Sequence, residues 1–163
     1  MCDADDIAFS VELNNFRVNS GIRAMPISSS LVTVARAHGA SNPPGNQGHD
    51  WDSDPSGGNR WQACSYDPGT DQGCMTNKAK EVTGGVYTGN SYEISRQGGR
   101  PIWAWDSSYS HEIYMMNSGG NMENALGCSR TGFTSCWLSS QPEGTKPNHW
   151  GLCKATSKRN RYM

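Results

Sequence analysis

The stretch that decides the fold is "ELNNFRVNSGIRAMPISSSLVTVARAHGAS", residues 12–41, because it contains the signatures of two helices joined by a glycine turn. The first signature begins upstream of it, where apolar residues recur at three- and four-residue steps from Ile7 to Phe16. Acidic residues precede this run and Gly21 follows it, as is typical of a helix start and a helix end. The pattern predicts a first amphipathic helix that closes at Gly21.

The second half of the stretch predicts another helix. The serines at 28–30 offer N-cap hydroxyls, and apolar positions then recur every three or four residues from Leu31 onward. We expect this helix to end near Gly39. We interpret His38 as a helix-end side chain that packs and bonds to a carbonyl, outside any functional site.

Length, charge and composition limit the classes of protein. The 163-residue chain has the length of one ordinary domain, so we expect a single domain over residues 1–163. Its 14 Lys and Arg against 15 Asp and Glu form no basic stripe, which argues against nucleic acid as a partner. No apolar run is long enough to cross a bilayer. Hydrophobic residues make up only 34% and glycines number 19, so we expect long loops and a core that needs crosslinks.

The six cysteines, without CxxC spacing, favour disulfides and hence a secreted or lumenal protein; the alternative is reduced thiols in the cytosol. Six cysteines allow 15 connectivities, so the pairing stays open; the local choice is Cys64 with Cys74 around an Asp-Pro-Gly turn and Cys128 with Cys136 between two strand-like runs, which leaves Cys2 with Cys153 by subtraction alone. The N-terminus shows no leader pattern, so we expect a mature form or an excised module.

Residues 41–91 are predicted to be mostly loop, because the apolar periodicity fails there and Pro, Gly, Asn and Asp accumulate. The aromatic residues of this segment form an exposed contact patch or else pack the loop onto the body. The candidates for the patch are Trp51, Trp61 and Tyr66.

The C-terminal half predicts two short helices followed by two strands. Pro101 is expected to begin the first helix, with Ile102, Trp103 and Trp105 buried behind it. The second helix covers "HEIYMMN", residues 111–117, and the strands follow in "NALGC" and "SCWLSS". A short basic tail at about 154–163 ends the chain, and His149 is expected on the surface. This order of elements indicates an α/β arrangement with a small sheet between helices.

Residues 12–41, together with four later motifs, resemble the CAP superfamily, also called SCP domains, which includes cysteine-rich secretory proteins, antigen 5 and plant pathogenesis-related proteins. In that family an Asn-x-x-Arg helix precedes a glycine turn and an alanine-rich second helix. The later motifs are "GHDW" (48–51), "YEIS" (92–95), "AWDSSYSHEIYMMN" (104–117) and "NALGCSR" (124–130). The resemblance implies an α/β fold built as a three-layer α-β-α sandwich, with a small, mainly antiparallel central sheet, long loops and disulfides.

The resemblance also implies a central cleft lined by His49, Glu93 and His111, with Ser108 beside them. Two imidazoles and one carboxylate make an open site for a divalent ion, and zinc is the first choice. His49, Glu93 and His111 would hold this ion. Each residue also has a simpler interpretation. His49 would be a solvated loop side chain, Glu93 a carboxylate at a helix N-terminus, and His111 a side chain that caps a helix or packs against the core. The family's second glutamate has no counterpart nearby except Asp106, so the fourth ligand stays open.

The function implied by the resemblance is that of a secreted, non-enzymatic module that acts by binding. Lipid or sterol, protein and glycan are the ligand classes it implies, as is service in a larger extracellular assembly. The alternative is a metal-dependent hydrolase or protease that uses the same cleft, because Ser108 stands three residues before His111. No GxSxG elbow, HExxH motif or Walker loop occurs in the sequence.

Overall fold

The computed structural model describes residues 4–41, 71–85, 87, 90–96, 99–116 and 123–141. Within these ranges the chain is mixed α/β, with five helices and one three-stranded antiparallel sheet. The elements are α1 (Ala4–Asn19), α2 (Ser29–Ser41), α3 (Asp71–Val82), β1 (Ser91–Arg96), α4 (Pro101–Asp106), α5 (Tyr109–Met115), β2 (Ala125–Ser129) and β3 (Thr134–Ser139).

Helix α1 confirms the first predicted helix. Phe9 and Leu13 are its buried apolar positions, and Gly21, just beyond its end, has a φ of 81°, which favours glycine. Asn14 joins the helix to the segment that follows it. Its Nδ2 donates to the Met25 carbonyl (2.9 Å), and its Oδ1 accepts from the Met25 amide (2.8 Å). This reciprocal pair fixes the path of the chain after the glycine turn.

Arg17 is fully buried and links α1 to distant parts of the chain. Its Nη1 donates to the Met115 carbonyl at the end of α5 (2.7 Å), and its Nη2 lies 3.5 Å from Glu123 Oε1. Burial lowers the pKa of Arg17 because it disfavours the charged guanidinium, and Glu123 acts in the opposite direction. Glu123 also binds Arg23, whose Nε donates to Oε2 at 2.8 Å. The buried cation is therefore balanced by a buried carboxylate.

Helix α2 confirms the second predicted helix and begins as expected. The Leu31 amide donates to Ser28 Oγ (3.1 Å), so Ser28 is the N-cap. The helix passes close to strand β2, because a Cβ placed on Gly127 would overlap the Leu31 backbone. It runs to Ser41, slightly beyond the expected end at Gly39.

The sheet has the order β1-β3-β2, with both pairs antiparallel. Strands β2 and β3, predicted from "NALGC" and "SCWLSS", pair with each other as a hairpin. The predicted local crosslink is confirmed: Cys128 and Cys136 face each other in the register and form a disulfide. Two apolar clusters cover the sheet. One contains Phe9 and Leu13 of α1 with Ile94 and Leu138, and the other contains residues of α2 and α3 with Trp137.

The structure adds a helix to the expected loop and overturns one expectation about burial. Part of the expected loop between 41 and 91 is helix α3, which buries Met75 and Ala79, one helical turn apart, in an otherwise polar segment. Trp103 was expected to be buried but is 59% exposed. In the short helix α4, Pro101 and Trp105 are spaced i,i+4 and face the core, so Trp103 lies on the opposite side.

Several predictions lie outside the described residues: the loop aromatics, the basic tail, His149 and the remaining cysteine pairs. Of the cysteines in those pairs, Cys2, Cys64 and Cys153 lie outside the described ranges. Cys74 lies in helix α3, where the structure describes its backbone alone. In the ranges given above, no helix is both long enough and apolar enough to cross a membrane.

Candidate functional site

Ser108 and His111 meet at the start of α5. Ser108 is the N-cap residue in an extended conformation, and its carbonyl accepts the His111 and Glu112 amides (3.0 and 2.8 Å). Its hydroxyl lies 2.8 Å from His111 Nδ1. Ser108 and His111, which the sequence analysis grouped together, are therefore joined by a direct hydrogen bond. The His111 ring is partly buried, and its orientation is set by this bond.

Helix α5 is docked on the sheet through the residues that follow His111. Tyr114 stacks on Tyr92 of β1, with ring centroids 3.4 Å apart, and Met115 is fully buried in the cluster with Ile94. Residues three and four apart share a helix face, so His111 lies on the same side of α5 as these two anchors. The Met115 carbonyl accepts from the buried Arg17, which fixes the end of the helix.

Glu93 lies in strand β1, and its interpretation as a helix N-terminal carboxylate is therefore wrong. The side chain is 2% exposed. Ser95, two residues along the strand and on the same face, donates a short hydrogen bond to Glu93 Oε2. Ser95 Oγ is also 3.0 Å from Ser135 Oγ across the β1–β3 pair. The Glu93 carboxylate is thus held by the Ser95 hydroxyl, which in turn contacts Ser135.

His38 belongs to this polar group, although the sequence placed it outside any site. It is fully buried, its Nδ1 is 3.1 Å from Ser135 Oγ, and its ring meets Phe133 and Trp137 edge-on. The expected packing is confirmed, but the partner of Nδ1 is a serine hydroxyl rather than a carbonyl. The sequence signal that could have identified the group is the period-two pattern of Ser91, Glu93 and Ser95, which places polar residues on one face of a strand.

Glu93 and His111 approach the sheet from different faces. Side chains alternate along β1, so Glu93 points away from the face on which Tyr92 stacks against α5. Strand β1 is at the edge of the sheet and pairs with β3 alone among the described strands. The two faces of the sheet therefore meet, on the β1 side, along the outer edge of that strand.

A metal site of three or more ligands does not occur within the ranges that the structure describes. His49, the third predicted ligand, lies outside those ranges. A separate surface groove of about 340 Å³ lies along α1, lined by Asp5, Ala8, Phe9, Glu12 and Arg130. Arg130 covers the Phe9 ring there, with Cζ 5.4 Å from the ring centroid. The groove shares no residue with the histidine and glutamate sites.

No family model matches this chain, and no curated protein or solved structure gives a significant match. The resemblance to the CAP superfamily is therefore carried by the quoted motifs themselves. Two of these motifs have a defined structural role here. The Asn-x-x-Arg pair of α1 fixes the chain after the glycine turn and the end of α5, and the Ser-x-x-His pair forms a hydrogen bond.

Proposed function

We propose that this chain is a secreted, non-enzymatic binding module of the CAP type, which holds a divalent metal, zinc first, in a cleft at the outer edge of β1. Its ligands belong to one of three classes: lipid or sterol, protein, or glycan. Service within a larger extracellular assembly is compatible with each of them. The disulfide between β2 and β3 supports an oxidising compartment.

The architecture that we propose is a three-layer α-β-α sandwich, with helices on both faces of the sheet. Its support is the distribution of the core clusters over the sheet. The cluster around Ile94 includes residues of α1, α4 and α5, whereas the cluster around Trp137 includes residues of α2 and α3. Ile94 and Trp137 belong to positions of opposite parity in the β1–β3 register, as two faces of one sheet require.

The observation that carries the metal proposal is the bond between Ser108 Oγ and His111 Nδ1. A metal-binding histidine characteristically uses one ring nitrogen for the ion and the other for an oxygen that orients the ring. Ser108 supplies this oxygen, so His111 would coordinate through Nε2. Glu93 and His49 complete the proposed ligand set, in which Glu93 would have to reach the ion from the opposite face of the sheet, past the outer edge of β1.

Zinc titration by calorimetry tests the metal proposal. We expect one zinc ion per chain, loss of binding in His111→Ala, and an affinity about 10–100-fold weaker in Ser108→Ala, because the ring then loses its orienting partner. His149→Ala is the matched control, since it removes a histidine that the proposal does not use. Equal zinc affinity in the wild type and in His111→Ala would show that the proposed site does not exist.

The second candidate is a hydrolase, and the same bond favours it. A serine hydroxyl 2.8 Å from an imidazole nitrogen is the arrangement of a nucleophile and its general base. A fluorophosphonate probe distinguishes the two functions. The binding module leaves Ser108 unlabelled, whereas a hydrolase labels Ser108 in the wild type and loses the label in His111→Ala. Labelling of this kind would replace the binding proposal.

A further inference from the structure

Four polar side chains form a continuous chain of hydrogen bonds under α2. From His38 Nδ1 the chain passes to Ser135 Oγ (3.1 Å), on to Ser95 Oγ (3.0 Å) and then to Glu93 Oε2. All four residues are buried, with exposures from 0% to 8%. Trp137 enters from the side, because its Nε1 donates to Ser135 Oγ at 3.1 Å. A chain of hydrogen bonds that is buried in this way is favourable only if every N–H and O–H proton in it has an acceptor.

The proton of each serine can be assigned by counting. The indole N–H of Trp137 donates only, and the count is made with Glu93 ionised, so that its carboxylate accepts only. Ser95 therefore gives its single proton to Glu93. The contact between Ser95 and Ser135 then needs the proton of Ser135, so Ser135 donates to Ser95. Ser135 has no further proton to give, and the 3.1 Å contact with His38 is a hydrogen bond only if the imidazole donates.

The opposite orientation fails the same count. If Ser135 donated its proton to His38, no proton would lie between the Ser95 and Ser135 oxygens, which are 3.0 Å apart in the interior. Two facing lone pairs with no proton between them would be costly in the protein interior.

We propose that His38 carries a proton on Nδ1 and positions Glu93 through Ser135 and Ser95. The hydrogen bonds then run in one direction, from the imidazole to the carboxylate. Because Oε2 of Glu93 is committed to Ser95, the carboxylate has one fixed orientation. As a statement about the cleft, the proposal rests on the proposed function, in which Glu93 is a ligand. As a statement about His38, it does not depend on metal binding.

The test is the protonation pattern of the His38 ring in the metal-free, ¹⁵N-labelled protein, read from two-bond ¹H–¹⁵N correlations. His38→Gln identifies the His38 signals by their loss. In the wild type we expect Nδ1 at the chemical shift of a protonated ring nitrogen. A shift typical of an unprotonated Nδ1 would overturn the proposal, and this measurement needs no variant other than the one used for assignment.

Ser95→Ala tests the relay itself. Once Ser95 is removed, His38 Nδ1 is the remaining acceptor that the described residues place beside the Ser135 hydroxyl, so we expect the ring to switch to the tautomer protonated on Nε2. Ser129→Ala is the matched control, because Ser129 is a buried serine facing Ser135 in the register, and its hydroxyl accepts from the Thr131 amide instead. An unchanged tautomer in Ser95→Ala would contradict the relay. Zinc is absent from these samples, so the result is separate from the success or failure of the zinc titration.

Discussion

Lys78 shows at the scale of the residue how a strongly charged side chain is kept inside this protein. Its side chain is 3% exposed, and its Nζ lies 3.3 Å from Oε2 of Glu81, which remains 40% exposed. Burial lowers the pKa of Lys78 below the ordinary value of 10.5, and the hydrogen bond to Glu81 opposes this effect less strongly. The charged form of Lys78 is thus a cost to folding that its partner offsets in part.

The cost predicts a rise in stability toward alkaline pH. Between the lowered pKa of folded Lys78 and 10.5, the unfolded chain binds more protons than the folded chain, so the free energy of unfolding increases with pH. Lys78→Met should lack this rise and be more stable near neutral pH, by on the order of 1 kcal/mol. Urea unfolding at several pH values measures both effects. Lys80→Met, an exposed lysine of the same helix, is the control, and identical alkaline slopes for the two variants would contradict the prediction.

Single residues could be predicted from the sequence where their role is local. Ser28 as an N-cap, Pro101 at the start of α4 and the pairing of Ser108 with His111 depend on neighbours a few positions away. The packing of His38 was predicted, but its hydrogen bond to Ser135 could not be, because that partner is 97 positions along the chain. The predicted burial of Trp103 was wrong for a related reason. In a helix of 6 residues, tertiary packing decides which aromatic side chain faces the core.

At the scale of the element, the contact between α2 and the sheet depends on glycine. A Cβ on Gly127 would overlap the backbone of Leu31 and Val32, and a Cβ on Gly39 would overlap the Thr131 carbonyl. Both glycines therefore allow a helix and a strand pair to approach more closely than any other residue would permit. Helix α2 is held against the hairpin along its length.

Gly127→Ala should accordingly force α2 away from β2. The two nearest atoms are backbone and the third is Leu31 Cβ, which the backbone holds in place, so none can move aside, and we expect a loss of about 1–3 kcal/mol in the free energy of unfolding. Chemical denaturation measures the loss. Gly99→Ala is the matched control because a Cβ there meets nothing within 4 Å. Equal stability of the two variants would show that the approach is looser than described.

The elements that the sequence predicted share a strong local pattern. Helices α1 and α2 have apolar residues at regular steps between capping residues, and the hairpin has two short runs flanking a turn. Helix α3 lacks such a pattern, since its buried positions include a lysine and few apolar residues. It becomes a helix because strand β1 and helix α2 cover one side of it, which is tertiary information.

At the scale of the whole molecule, the disulfide between Cys128 and Cys136 crosslinks the two strands on which both core clusters rest. Closing this short loop restricts the unfolded chain. The Cys128→Ala/Cys136→Ala variant should therefore lose about 2–3 kcal/mol of stability under oxidising conditions.

The contribution of the crosslink can be separated from packing by repeating the unfolding with a reductant. Under reducing conditions, the wild type and the double variant should differ only by the packing of two small side chains, so the gap between them should narrow. A gap of the same size under both conditions would mean that the bond adds nothing to stability.

The order of the strands and the two faces of the sheet lie beyond what local patterns reveal. Strand β3 follows β2 in the chain but lies between β2 and β1, so the neighbours of β1 could not be predicted from spacing alone. The same limit applies to the candidate site. The motifs identified Glu93, Ser108 and His111 individually, whereas the faces from which they approach β1 follow from the alternation of a paired strand.

The buried guanidinium of Arg17 has a consequence for how the protein is made. Two of its partners, the Met115 carbonyl and Glu123, lie 98 and 106 positions later in the chain, so a ribosome releases α1 long before they exist. Until Glu123 has emerged, native docking of α1 would bury a cation that lacks its counter-ion. Native docking of α1 must therefore wait, and it follows the synthesis of Glu123.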